Sequence, residues 1–64
     1  MTEKVRDIIK RLEADGWVLV RQTGSHRQFR HESKPGTVTV PGHPGTELPL
    51  RTVASTYRQA GLRR

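Results

Sequence analysis

The chain has 64 residues, no cysteine and a formal net charge of +6, from 12 lysines and arginines against 6 aspartates and glutamates. This length predicts a single domain over residues 1–64, because a chain of about 60 residues buries only about 60% of the surface that it exposes when unfolded. The composition excludes disulfides and thiolate metal ligands, and the lack of a long apolar stretch or an apolar leader predicts a soluble, cytoplasmic protein.

The positive charge is unevenly distributed along the chain. Residues 1–15 hold four basic and four acidic side chains, whereas the remaining residues hold eight basic side chains against Glu32 and Glu47 alone. A one-sided positive field concentrates polyanions at a protein surface. The distribution favours nucleic acid as a partner, with an acidic protein as the alternative.

The first predicted element is a helix over residues 3–14. Four apolar side chains recur there at i, i+3, i+4 and i+7: Val5, Ile8, Ile9 and Leu12. This spacing places them on one stripe of a helix. Thr2 is expected to cap the helix start and Gly16 to provide the left-handed residue that ends it.

Three strands are predicted to follow. Trp17–Arg21 is apolar or β-branched, Gln22–Ser25 has the composition of a turn, and His26–His31 forms the returning strand. After a second turn at Ser33–Gly36, the alternation of Thr37–Val40 predicts a third strand. The three strands make an antiparallel meander.

A second helix is predicted at the end of the chain. Pro41–Thr46 is too rich in proline and glycine for regular structure, and Pro49 suits the first turn of a helix. Leu50, Val53, Ala54 and Tyr57 follow at helical spacing, and Gly61 with Leu62 would close the helix. The predicted class is α+β, in the order α-β-β-β-α, with both helices on one face of the sheet.

The strongest functional candidate is His26, at the start of the second strand. Strand alternation puts Phe29 on the face opposite His26, so a buried Phe29 predicts an exposed histidine. Gly24 permits a tight turn and Ser25 adds a hydroxyl group, and both are predicted to take part in binding RNA. We expect three arginines near the histidine to bind phosphate: Arg21, Arg27 and Arg30.

An exposed histidine among arginines suits metal-independent cleavage of RNA. RNA carries its own nucleophile, the 2′-hydroxyl, so a minimal ribonuclease needs a base for that proton and cations for the phosphate oxygens. His26 is the predicted base, and no cofactor is required. Lys34 and Arg51 are further basic positions predicted to bind RNA.

Other interpretations of these residues remain open. Exposed histidines are often ordinary surface residues, and a serine hydrolase built on Ser25 and His26 is disfavoured because adjacent strand residues point to opposite faces. The spacings of His26, His31 and His43 match no metal motif. Trp17 and Tyr57 fit the core better than a base-stacking surface. Further basic positions would extend the basic surface: Arg58, Arg63 and Arg64.

These residues, taken together, resemble a known family. The elements that carry the resemblance are Gly16-Trp17, Arg21, Gly24-Ser25-His26, Phe29, Val38-Thr39-Val40-Pro41, His43 and Arg58-Gln59-Ala60-Gly61-Leu62. They are similar to HicA, the toxin of HicBA toxin–antitoxin modules, over residues 3–62. The resemblance implies a double-stranded RNA-binding-domain-like fold, mRNA interferase activity in a type II system, a catalytic His26, and neutralisation by a HicB-type antitoxin that covers the site.

The chain departs from the family pattern at two positions. Many relatives have Gly-Thr where this chain has Arg51-Thr52, which is expected to alter RNA contacts. Thr56 stands where an aliphatic residue is common, and its hydroxyl is expected to bond back to the preceding helical turn. Two competing functions remain: a non-catalytic RNA-binding module, and an interaction subunit whose basic face meets an acidic protein.

Overall fold

Two helices and five strands make up the computed structural model, which describes residues 2–62. In chain order the elements are β1 Thr2–Lys4, α1 Val5–Ala14, β2 Val18–Thr23, β3 His26–Arg30, β4 Val38–Val40, β5 Glu47–Pro49 and α2 Leu50–Gln59. The α+β class and the predicted meander are confirmed: β2, β3 and β4 form one antiparallel sheet in that order. Neither helix is long and apolar enough within residues 2–62 to cross a membrane.

The sheet has one buried and one open face. Phe29 pairs with Val38 across the β3–β4 ladder, and both side chains are almost fully buried. They join one core with the apolar stripes of both helices, which include Ile8, Leu12 and Val53. The alternating positions of the same strands face away from this core. Packing of both helices against one face therefore leaves the other face of the sheet uncovered by them.

A second, two-stranded sheet corrects the prediction for the start of the chain. β1 pairs antiparallel with β5, and the hydroxyl of Thr2 donates to Glu47 Oε1 at 2.5 Å. The helix therefore begins at Val5 rather than Glu3, and Thr2 is a strand residue, not a helix cap. Long-range pairing outweighs the local capping preference here.

Loop carbonyls replace the missing side-chain cap of α1. The backbone N–H of Val5 donates to the Thr46 carbonyl at 2.9 Å, and that of Arg6 donates to the Pro44 carbonyl at 3.0 Å. These N–H groups lack partners within the helix itself. The proline- and glycine-rich loop after β4 thus has a structural role at the start of α1.

The start of α2 also differs from the prediction. Pro49, predicted within the first helical turn, is instead the last residue of β5 and the N-cap of α2.

Both helices end with the same motif, as predicted from Gly16 and Gly61. Gly16 has φ 101° and Gly61 has φ 70°, in the left-handed region. The next residue in each case donates back to the helix, Trp17 to the Leu12 carbonyl at 3.0 Å and Leu62 to the Tyr57 carbonyl at 2.8 Å. This is the Schellman arrangement, with an apolar side chain after the glycine packed on the core.

The polar groups of α2 that enter the core have partners. The hydroxyl of buried Thr56 donates to the Thr52 carbonyl at 3.0 Å, which confirms the expected bond to the preceding turn. Tyr57 is also buried, as predicted, and its hydroxyl donates to Glu3 Oε1 at 3.0 Å. Burial, and then the Glu3 carboxylate, raise the pKa of Tyr57 above its ordinary value of 10.0.

Candidate nucleic-acid interface

The hairpin that presents His26 is tighter than predicted. β2 continues to Thr23, which pairs directly with His26, so only Gly24 and Ser25 form the loop. Gly24 has φ 59° and no non-glycine residue among those described has positive φ, so the loop has the backbone signs of a type II′ turn. The predicted turn at Gln22–Ser25 is therefore shortened to two residues, and His26 begins its strand immediately after the loop.

The register of the sheet groups several predicted residues on the open face. His26, Gln28 and Arg30 alternate along β3, and Arg21 pairs with Gln28 from the neighbouring strand. Arg21 is therefore diagonal to His26, at a backbone separation of roughly 7–8 Å. A long arginine side chain spans such a distance. Arg30 lies on the same face beyond the irregularity in register between Leu19 and Arg21. The structure thus brings together the histidine and two of its three expected arginines.

The His26 side chain is exposed, as the burial of Phe29 predicts. Its ring has no hydrogen-bond partner among residues 2–62. The strands of the meander carry no acidic residue, so every charged side chain that these strands place on the open face is basic. The imidazole is accessible to a ligand from solvent, and no group in the described part of the chain fixes its orientation by a hydrogen bond.

Arg27 does not join this group, which corrects the expectation that it lies beside His26. It pairs with buried Val40 of β4, on the face of the sheet that meets the helices. Its Nη1 donates to the carbonyl of Gly42 at 2.9 Å. Strand alternation separates the two neighbours, and Arg27 ties the loop after β4 to the sheet.

Lys34 is also held elsewhere. Its Nζ lies 2.5 Å from Asp15 Oδ2 and donates to the carbonyl of Ala60 at 3.2 Å. The amine thus links the C-terminal ends of α1 and α2, where the helix dipole favours a positive charge. The structure does not place Lys34 with the open face of the sheet.

His31 has a structural position that the sequence did not reveal. Its Nδ1 accepts the backbone N–H groups of Ser33 at 3.0 Å and Lys34 at 3.2 Å. The lone pair of Nδ1 is therefore occupied, so the proton lies on Nε2, which donates to the Asp15 carbonyl at 2.7 Å. The ring also meets Trp17 edge-on, with 5.3 Å between centroids. We call Asp15, Trp17, His31 and Lys34 the α1-end cluster.

The carboxylate of Asp15 is the ionisable group of this cluster with a lowered pKa. The hydrogen bond from Lys34 is the main cause, and it holds the pKa below the ordinary value of 3.8 against the opposing effect of desolvation. A lowered folded-state pKa stabilises the protein above 3.8, and this contribution is lost as the pH falls through the folded-state value.

Asp15→Asn is therefore expected to lower the melting temperature at neutral pH. The difference from the unsubstituted protein should shrink once the pH is well below 3.8, where both chains carry a neutral side chain. Thermal unfolding by circular dichroism at the two pH values measures this effect, and Glu13→Gln, on the exposed surface of α1, serves as the control. A difference that does not change with pH would contradict the proposed role of the ion pair.

The remaining predicted positions lie outside the strands of the meander. Arg51 is exposed in the first turn of α2, Arg58 is exposed near its end, and His43 is exposed in the loop after β4. Arg63 and Arg64 lie outside the described residues. Within residues 2–62, no three histidine, cysteine, aspartate or glutamate side chains come together as a possible metal site.

The fold and this surface define a small, basic α+β domain with an open, cationic sheet face. A family model described as HicA toxin of bacterial toxin–antitoxin matches residues 5–62. The chain therefore belongs to the HicA toxin family, and the predicted resemblance is confirmed. Membership gives it a toxin role in a module that also contains an antitoxin. A search of the curated proteins gave no match.

Proposed function

We propose that this protein is an endoribonuclease toxin, an mRNA interferase of a type II toxin–antitoxin system that stops translation and growth in the cytoplasm under stress. The observation that carries the proposal is the exposed His26 ring on the same sheet face as Arg21 and Arg30, in a chain of a toxin family. An exposed histidine beside exposed arginines suits RNA best as the substrate. A HicB-type antitoxin is the proposed inhibitor.

The chemistry assigned to His26 is general base catalysis. The neutral imidazole takes the proton of a ribose 2′-hydroxyl, whose oxygen attacks the adjacent phosphorus and forms the O2′–P bond. The P–O5′ bond breaks, and the departing oxygen takes a proton from the imidazolium or from water. The products are a 2′,3′-cyclic phosphate and a 5′-hydroxyl, and no metal enters the reaction.

The two arginines are assigned to the phosphate. Arg21 and Arg30 lie on the open face of neighbouring strands, and both are exposed. Guanidinium groups donate charge-assisted hydrogen bonds to phosphate oxygens and stabilise the charge that develops on them during attack. Gly24 and Ser25 place the ring by forming the tight loop before it.

A non-catalytic RNA-binding module of double-stranded RNA-binding-domain type is the second candidate. It is favoured by the absence, among residues 2–62, of a group that hydrogen-bonds to His26, because many catalytic histidines are oriented by such a partner. This candidate needs the same basic face and no reaction. Incubation of the purified protein with end-labelled RNA in the presence of a chelator distinguishes the two functions. Only an endoribonuclease yields fragments with cyclic phosphate ends.

Substitution of one arginine tests the assignment of the phosphate ligands. Arg30→Gln should slow RNA cleavage by roughly 10- to 100-fold, the loss expected for a hydrogen bond to a charged group. Arg27→Gln is the matched control on the opposite face: it removes the bond to Gly42, so it should lower the melting temperature and leave cleavage by the folded protein within a few-fold. The assignment is wrong if the two variants cleave equally well.

A further inference from the structure

The outer edge of the main sheet carries three consecutive exposed aliphatic residues. Val18, Leu19 and Val20 in β2 are 62%, 43% and 55% exposed. β2 is an edge strand that pairs only with β3, so among the described residues the backbone groups on its outer side have no protein partner. An edge of this kind is a template for another strand.

The side chains of this edge point to both sides of the sheet. Val18 pairs with Arg30 and lies on the open face, whereas Leu19 pairs with Phe29 and lies on the side of the helices. Val20 occupies the irregularity in register between Leu19 and Arg21. A strand added outside β2 would therefore cover apolar surface on both of its faces as well as pair with its backbone.

Charge restricts which strand can bind there. A second copy of this chain carries the same net charge of +6, so repulsion between like charges opposes the pairing of two β2 edges. RNA has no peptide N–H and C=O groups that could continue the sheet, and its phosphates gain nothing from contact with aliphatic side chains. An acidic polypeptide in an extended conformation can pair with the backbone of the β2 edge, cover its apolar side chains and form an ion pair with the adjacent Arg21.

We propose that the outer edge of β2 receives an extended, acidic segment of the antitoxin, which adds to the sheet as a fourth strand. Alternate side chains of that segment cover Val18 and Leu19, and acidic side chains on the open face pair with Arg21. The added strand thereby takes one of the arginines assigned to RNA. The inhibition of cleavage rests on the proposed function above, whereas the binding itself does not.

The experiment uses the full chain and the protein encoded by the adjacent reading frame as the probe. Hydrogen exchange should show slowed exchange of the outward amides of Val18–Thr23 when the probe is bound. Val20→Lys should raise the dissociation constant by roughly tenfold or more, because a lysine on a strand edge opposes pairing with another strand. Val18→Thr keeps the β-branched shape and should weaken binding by a smaller factor.

Leu50→Lys is the matched control, since Leu50 is a 37% exposed aliphatic residue on α2, outside the β2 edge. It should leave the dissociation constant within twofold. The proposal is overturned if the probe does not bind, if protection is confined to the face around His26 and Arg30, or if Val20→Lys binds as tightly as Leu50→Lys. A dimer of this chain alone, or equal protection of the β2 amides by RNA, also overturns it.

Binding of the probe, and the protection that the probe gives to β2, are measured in samples without RNA, so they distinguish this proposal from the nuclease assignment. A chain that fails to cleave RNA and still shows protection along β2 contradicts the nuclease assignment alone. A chain that cleaves RNA and shows no protection along β2 contradicts the docking of the antitoxin alone.

Discussion

His26→Ala is expected to reduce RNA cleavage by roughly 10²- to 10⁴-fold, the contribution of a positioned general base, and to abolish growth arrest. The fold should be unaffected, because the side chain is exposed and has no hydrogen-bond partner among residues 2–62. Surface substitutions of this kind change the free energy of unfolding by at most about 0.5 kcal/mol. Cleavage of labelled RNA and thermal unfolding of the same preparation measure the two quantities together.

His31→Ala is the matched control for this experiment. The His31 ring joins Asp15, Ser33 and Lys34 through three backbone groups, so its removal should lower the free energy of unfolding by about 2 kcal/mol. Cleavage by the folded variant should persist. Full toxicity of His26→Ala would remove the catalytic role from that residue, and an equal loss of cleavage in both variants would point to general loss of fold instead.

Gly16→Ala is expected to cause the largest loss of stability from a single methyl group. The φ of 101° costs an alanine about 1–2 kcal/mol, and the added Cβ would lie 2.8 Å from His31 Nε2, within the α1-end cluster. The His31 ring must move and give up its bond to the Asp15 carbonyl, worth about 1 kcal/mol. The total expected loss is about 2–3 kcal/mol, measured by chemical denaturation.

Gly61→Ala separates the two causes. Gly61 occupies the same place in the equivalent motif, with φ 70°, but its added Cβ would meet nothing closer than Lys34 Nζ at 3.8 Å. The free energy of unfolding should therefore fall only by the backbone cost of about 1–2 kcal/mol. His31→Ala combined with Gly16→Ala should lose less than the sum of the two single variants, because the first removes the ring that the second displaces. Equal losses at the two glycines would contradict the role of the His31 contact.

The elements that the sequence predicts well are those set by local pattern. The stripe that includes Val5, Ile8 and Leu12 indicates the face of α1, and glycine followed by an apolar residue indicates both helix ends. The β1–β5 sheet could not be predicted in this way, since it joins residues 45 positions apart, such as Thr2 and Glu47, without a distinct signal in either segment. The same long-range pairing explains why α1 starts two residues later than predicted.

In the candidate site, too, the sequence predicts what local pattern determines and not what the tertiary fold determines. Alternation predicts that His26 and Phe29 lie on opposite faces, and it also places Arg27 with Phe29, so the position of Arg27 could have been predicted from the same rule. The partners of Lys34 and His31 could not, because Asp15 and Ala60 reach them through the tertiary fold. Basic composition alone does not distinguish a cation that is free for RNA from one that joins two helices.

The burial of Trp17 makes this protein convenient for spectroscopy. It is the sole tryptophan of the chain, is 1% exposed, and donates from its indole nitrogen to Asp15 at 3.2 Å. Its fluorescence will respond to the opening of the interior and to rearrangement at the end of α1. A ligand that occupies the opposite side of the sheet will leave the emission nearly unchanged, so unfolding and occupancy can be followed as separate signals in one cuvette.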